Sequence, residues 1–253
     1  MNETAAYLGH VASRLQDLLG EELVGVYAGG SFALGGYDPR RSDLDVAAVC
    51  RGPRSVESKV EIGGALRHES LPCPARGLEL VVYTEAVVRE QTLAAGYELD
   101  LNSGRAMPFR LSVAPDDAAR HWYVIDRAII RERGLTLEGP PAREVFAPFE
   151  RETLLTMLSE SVAWHTANAD ARLDDTVLNG CRAWRYVEER VWSSKVEAGS
   201  WARQRAGDPE LISEALAARL GNERLDAERV AAFTRRVQRR LKDAGARMGR
   251  APS

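Results

Sequence analysis

Long apolar runs are missing from this 253-residue sequence. No stretch approaches the ~20 consecutive apolar residues that a membrane-spanning helix requires, so no membrane association is expected. Cysteine is scarce: Cys50, Cys73 and Cys181 stand singly, without a C-x-x-C pair. That pattern excludes a disulfide scaffold and a thiolate zinc site, and it fits a reduced, cytoplasmic setting. The four histidines, His10, His68, His121 and His165, have no ligand spacing. A net charge of −3 gives no global field for nucleic acid or an anionic membrane. The G-x-x-x-x-G-K-[ST] loop is absent, as are H-R-D and D-F-G, which argues against P-loop and protein-kinase chemistry. Leu8, Val11, Leu15, Leu18 and Leu19 form a helical stripe instead of the apolar core of a leader peptide.

What remains is an ordinary globular composition, 45% hydrophobic and 28% charged, in a chain long enough for two domains. Leu23–Ala28 reads as a buried strand running into Gly29-Gly30, and 44–49 as a second. Ser55 is a cap for a helix through Leu66. The run 78–83 is a third strand, and Thr84 is a cap for a helix to about Ala95. Beyond Pro115 no strand is evident. Helices are predicted over 118–133, 149–168, 174–193, 208–220 and 226–246, the last burying Val230, Phe233, Val237 and Leu241. Gly139-Pro140-Pro141 marks the expected boundary, giving an α/β domain over 1–140 and an all-helical domain over 141–253. Arg235, Arg236, Arg239, Arg240 and Lys242 share the last helix with its apolar stripe. They read as a solvated face, so no nucleic-acid partner is expected.

The chemistry concentrates near the strand ends. Gly30-Ser31 closes one strand, and Ser42-Asp43-Leu44-Asp45 leads the next. Residues i and i+2 of a strand share a face, so Asp43 and Asp45 are expected to converge. Like charges at that distance repel unless a cation lies between them, and an all-oxygen donor set suits Mg²⁺. Glu79 interrupts an otherwise apolar strand, where a lone carboxylate is costly unless paired, protonated or metal-bound. If the two strands are neighbours, Glu79 completes a three-carboxylate cluster.

These residues resemble the polymerase-β-like nucleotidyltransferase superfamily, and within it the aminoglycoside 3″/9 adenylyltransferases. The resemblance runs through the glycine-rich stretch 30–39 and the aspartate pair. It continues through Val177-Leu178, Arg182, Trp184, Lys195 and Ala198…Trp201-Ala202 in the helical half. It implies an α+β fold, with an N-terminal nucleotidyltransferase domain on a mixed sheet and a C-terminal helical bundle that completes the ATP and acceptor sites. It further implies transfer of AMP from ATP to a hydroxyl of an aminoglycoside or aminocyclitol antibiotic such as streptomycin or spectinomycin. Pyrophosphate would be released by a monomer.

By the same resemblance, Asp43, Asp45 and Glu79 hold two Mg²⁺ ions, Gly30, Ser31 and Ser42 border the nucleotide, and Arg182 and Lys195 reach its phosphates. The family's base is a further glutamate, and Ser103 or Asn102 stands at that position here. Asp100 or Glu98 is the candidate replacement for the base. A cationic acceptor suits carboxylates and aromatics, and Trp164, Asp170, Asp174 and Asp175 occupy the corresponding region. Two other readings are another small-molecule or protein acceptor and a catalytically silent nucleotide-binding protein.

Overall fold

A computed structural model describes residues 3–115, 118–169, 172–219, 221 and 225–248. It divides into two compact units, 1–148 and 149–253. Among the described residues no helix is long and apolar enough to cross a membrane.

The first unit is built on a mixed six-stranded sheet. Its strands are β1 (Leu23–Ala28), β2 (Leu44–Cys50), β3 (Leu78–Thr84), β4 (Tyr97–Gly104), β5 (Met107–Ser112) and β6 (Leu135–Glu138). The spatial order is β5-β4-β3-β2-β1-β6. Only β2 and β3 are parallel. A parallel pair needs a crossover, and α3 (Val56–Leu66) supplies it. Ser55 caps that helix, as the sequence predicts, accepting from the Ser58 amide at 3.2 Å.

Alternation along the central strands sends side chains to two cores. Leu44, Val46, Ala48, Leu78, Leu80, Leu99 and Leu101 pack under α1 (Glu3–Leu19) and α3. Ala47, Val49, Tyr83 and Tyr97 pack on the other face with α4 (Glu85–Arg89), α5 (Arg120–Arg133) and α6 (Ala142–Val145). The short α2 (Gly30–Ala33) follows β1 directly.

Three local expectations change. Thr84 does cap α4, but the helix stops at Arg89 instead of continuing to Ala95. The reason is Arg127, almost fully buried on α5, whose guanidinium donates to the carbonyls of Val87, Thr92 and Ala94 at 3.3, 2.8 and 3.2 Å. Those oxygens are satisfied by a side chain, so the segment needs no further helical turns. Strands β5 and β6 are the other two changes. Each is a short edge strand with largely exposed residues, which leaves little apolar periodicity to read. Arg127→Met should cost about 3 kcal/mol, since it strands several buried carbonyls together. Urea unfolding of the purified variant measures this directly.

The second unit is helical: α7 (Arg151–Ala167), α8 (Leu173–Glu189), α9 (Lys195–Arg203), α10 (Pro209–Ala218) and α11 (Ala227–Met248). Helix α8 is central, with α7, α9, α10 and α11 all packed on it. Gly180 lets α11 approach, because a Cβ there would meet the Phe233 ring at 2.8 Å. Val230, Phe233, Val237 and Leu241 are buried, while Arg240 pairs with Glu188 at 3.1 Å and lies over the Trp184 ring. Ser194 and Glu197 form a reciprocal capping box that starts α9, a helix the sequence reading did not separate.

Candidate active site

Strand register decides which carboxylates meet. Asp45 on β2 lies directly opposite Glu79 on β3, and Glu79 lies opposite Asn102 on β4. Asp100, two residues before Asn102, pairs with Val81 and therefore shares their face. This is the face covered by α5. Asp43 precedes the first residue of β2, so it is not held by the strand pleat; Arg76 Nε lies 3.4 Å from its Oδ1.

The crowding is visible in Glu79. Burial pushes its carboxyl up to about 8, and the charges of Asp45, Asp43, Asp126 and Asp100 add to the effect. Asp126, on α5, is a member of this cluster that the sequence reading missed. Its only signal is an acidic residue among the buried positions Tyr123, Val124, Ile125 and Arg127 of an amphipathic helix.

The donor set has the chemistry of a site for a hard divalent cation. The donors are all oxygen, the charge is uniformly negative, and Glu79 ionises poorly unless positive charge is added, as Mg²⁺ chemistry requires. In the side-chain positions of the structure no three His, Cys, Asp or Glu among the described residues close around one ion.

Gly30 and Ser31 lie beside the same carboxylates. Gly30 has φ +49°, and a Cβ on it would fall 1.7 Å from Asp45 Oδ2. Glycine is thus required first by Asp45, whose carboxylate occupies the space a side chain would take. Ser31 Oγ is buried and has no hydrogen-bond partner among the described residues, as a donor reserved for a ligand would be. Ser42, by contrast, works within its own loop. Its hydroxyl accepts from the Asp38 amide at 3.1 Å, and its amide donates to Asp38 O at 2.7 Å.

The register also separates the candidate bases. Ser103 pairs with Leu78 on the opposite face, where its hydroxyl accepts from the His68 amide at 2.7 Å. Asn102 is therefore the residue that faces the cluster. Glu98 is turned away as well, because the β3–β4 register shifts between Val82 and Tyr83. It pairs instead with Lys59 of α3 at 2.9 Å. Asp100 is buried and accepts from Asn102 at 2.9 Å, Arg110 at 3.1 Å and Tyr123 at 2.5 Å.

The helical unit places its own candidates in two groups. Arg182 donates to Ser193 O at 3.0 Å and Asn179 Oδ1 at 3.3 Å. Lys195 pairs with Asp175 at 2.9 Å, and Arg219 reaches the same Asp175 oxygen at 3.3 Å, with Arg172 on the other. Asp174 is half-buried in the first turn of α8, where a carboxylate complements the helix dipole. Trp164 is 42% exposed and meets the His165 ring edge-on, so it is not a core residue. Asp170 lies outside the described residues.

Asp175 makes the helical unit sensitive to acid. Burial opposes its charge, but Lys195, Arg172 and Arg219 outweigh burial and hold its carboxyl below the usual range. A folded-state value below the unfolded one gives stability that is complete above about pH 4 and is lost as pH falls through the folded value. Asp175→Asn should lose about 3 kcal/mol at pH 7 and flatten the acid limb of stability below pH 4. Thermal melts from pH 7 to 3 test both parts.

Residues 144–243 match the family model "Aminoglycoside adenylyltransferase, C-terminal domain". No curated protein matches the sequence. Among solved structures, spectinomycin adenyltransferase AAD(9) from Enterococcus faecialis, crystallised with ATP and spectinomycin, matches at 18% identity and a TM-score of 0.71. The match covers 95% of this chain and 100% of that one. Residues 144–243 are thus similar to the C-terminal domain of aminoglycoside adenylyltransferases, and the backbone has the fold of a spectinomycin adenyltransferase.

Proposed function

We propose that this protein transfers AMP from ATP to a hydroxyl of an aminoglycoside or aminocyclitol antibiotic of the streptomycin or spectinomycin type, releasing pyrophosphate. The observation that carries the reading is a single sheet face where Asp45 and Glu79 stand in register beside Gly30 and the unpartnered Ser31 hydroxyl. Burial, together with the charges of Asp45, Asp43, Asp126 and Asp100, raises the Glu79 carboxyl, so a cation at this face would relieve a cost that the protein otherwise carries. The C-terminal family match and the fold of an enzyme crystallised with ATP and spectinomycin support the same chemistry.

Asp43, Asp45 and Glu79 are the residues that would hold two Mg²⁺ ions. When bound, the ions neutralise the triphosphate and acidify the attacking hydroxyl. Ser31 donates to a phosphate oxygen, Gly30 keeps Asp45 in place, and Ser42 holds the loop that leads into β2. Arg182 and Lys195 supply positive charge to the phosphates. Trp164 offers an exposed aromatic face to a cationic acceptor, and Asp174 a carboxylate.

Asn102 cannot take a proton near neutral pH, so Asp100 is the base in this reading. Its three donors fix its position beside Asn102. Asp100→Asn should lower the transfer rate by about 10²–10⁴-fold, with ATP affinity unchanged. A variant with an unaltered rate would exclude Asp100.

The enzyme itself is tested by pyrophosphate release from Mg·ATP with streptomycin, spectinomycin or no acceptor, and by the mass of the antibiotic. Release with an AMP-sized mass gain is the expected result. ATP binding without release would favour a silent nucleotide-binding protein, a reading that the amide at position 102 makes specific.

A further inference from the structure

Asp175 carries more positive charge than one carboxylate can neutralise. Its Oδ1 receives Lys195 Nζ at 2.9 Å and Arg219 Nη1 at 3.3 Å, and Arg172 reaches Oδ2. Arg182 is close enough, with Arg219, to disfavour the charge on Lys195. Three cations, Lys195, Arg219 and Arg172, therefore share one carboxylate. The arrangement is held from three helices: Asp175 in the first turn of α8, Lys195 at the start of α9, and Arg219 at the end of α10. Two of the cations are partly buried, Arg219 at 13% and Lys195 at 27% exposed, while Arg172 is half exposed.

Partly buried cations that outnumber their counter-charges are costly unless an anion completes the set. A lone carboxylate with one arginine would satisfy a purely structural role. Arg219 is a second cation on an oxygen that Lys195 already occupies, and its planar fork keeps further N–H donors for a phosphate.

We infer that Arg219 is a further phosphate-binding residue, acting with Lys195 and Arg182 on the polyphosphate of the nucleotide, and that Asp175 holds Lys195 and Arg219 side by side for this purpose. The inference rests on the nucleotidyltransferase reading above. It moves Asp175 from a contact with the acceptor to a positioning role. The ligand class is a polyphosphate, with nucleoside triphosphate as the substrate and inorganic pyrophosphate as the minimal probe.

Calorimetric titration of the full chain with Mg·ATP, Mg·pyrophosphate and adenosine tests this. Arg219→Gln should weaken ATP and pyrophosphate at least tenfold and leave adenosine within twofold. In kinetics KM for ATP should rise, while KM for the acceptor stays constant. Arg219→Lys keeps the ion pair with Asp175 but loses the fork, so it should recover part of the lost affinity. If Arg219→Gln fails to fold, the Lys variant carries the test with an expected loss of at least threefold. ATP and pyrophosphate affinities equal to those of the unaltered protein would overturn the inference, as would parallel losses for adenosine. Failure of the unaltered protein to bind any of the three ligands would overturn the nucleotide reading, and this inference with it.

Discussion

Asp45→Asn is expected to lower AMP transfer by about 10²–10³-fold, the scale of removing one preorganised electrostatic partner. The thermal midpoint should stay at or above that of the unaltered protein. Asparagine keeps the shape that rests against Gly30, so packing is preserved. It removes a charge that stands in register with Glu79 and helps to keep Glu79 from ionising. Toward Glu79 that charge is a repulsion when no cation lies between them. With a cation, the same charge is a ligand, and deleting it weakens the site. Loss of activity together with retained or raised stability is therefore the signature of a carboxylate kept for binding a cation. The measurement is pyrophosphate release across a Mg²⁺ titration, paired with a melt. Activity within tenfold of the unaltered protein would remove Asp45 from the metal site.

Gly30→Ala should be nearly as damaging, about 10²-fold in rate, with a modest loss of stability. The left-handed backbone at φ +49° costs an alanine about 1–2 kcal/mol. The larger effect is steric, because the new Cβ would fall 1.7 Å from Asp45 Oδ2 and must displace it. A misplacement of about 1 Å in a reacting assembly is enough for a loss near 10²-fold. The two sites should then couple. In an Asp45→Ala background, Gly30→Ala should cost stability but no further activity. Additive activity losses would show that Gly30 acts independently of Asp45, as by direct approach to the nucleotide.

Much of the architecture was legible in local chemistry. The strand 23–28, the capped helix ending at Leu66 and the third strand near 78–84 follow from apolar runs bounded by glycine and by serine or threonine caps. The mixed sheet matches what the family resemblance implies, and the helical second half matches the expectation from element order. The edge strands β5 and β6 were not legible, because exposed residues carry no burial pattern. The early end of α4 was hidden too, since it depends on Arg127, 38 residues after Arg89 in the chain.

By itself the sequence determined which residues could carry the chemistry: Gly30-Ser31, the Asp43-x-Asp45 pair and a glutamate in an apolar strand. Those are properties of residue type and of spacing within one element. Tertiary structure decided which of them meet. Strand register put Asn102, not Ser103, opposite Glu79, and a register shift turned Glu98 toward Lys59. Helix packing brought Asp126 to the carboxylates and set Arg219 beside Lys195 on one oxygen of Asp175. A one-residue shift of register reverses the face of every side chain that follows. No local pattern encodes such a shift, because it is fixed by contacts between segments far apart in the chain.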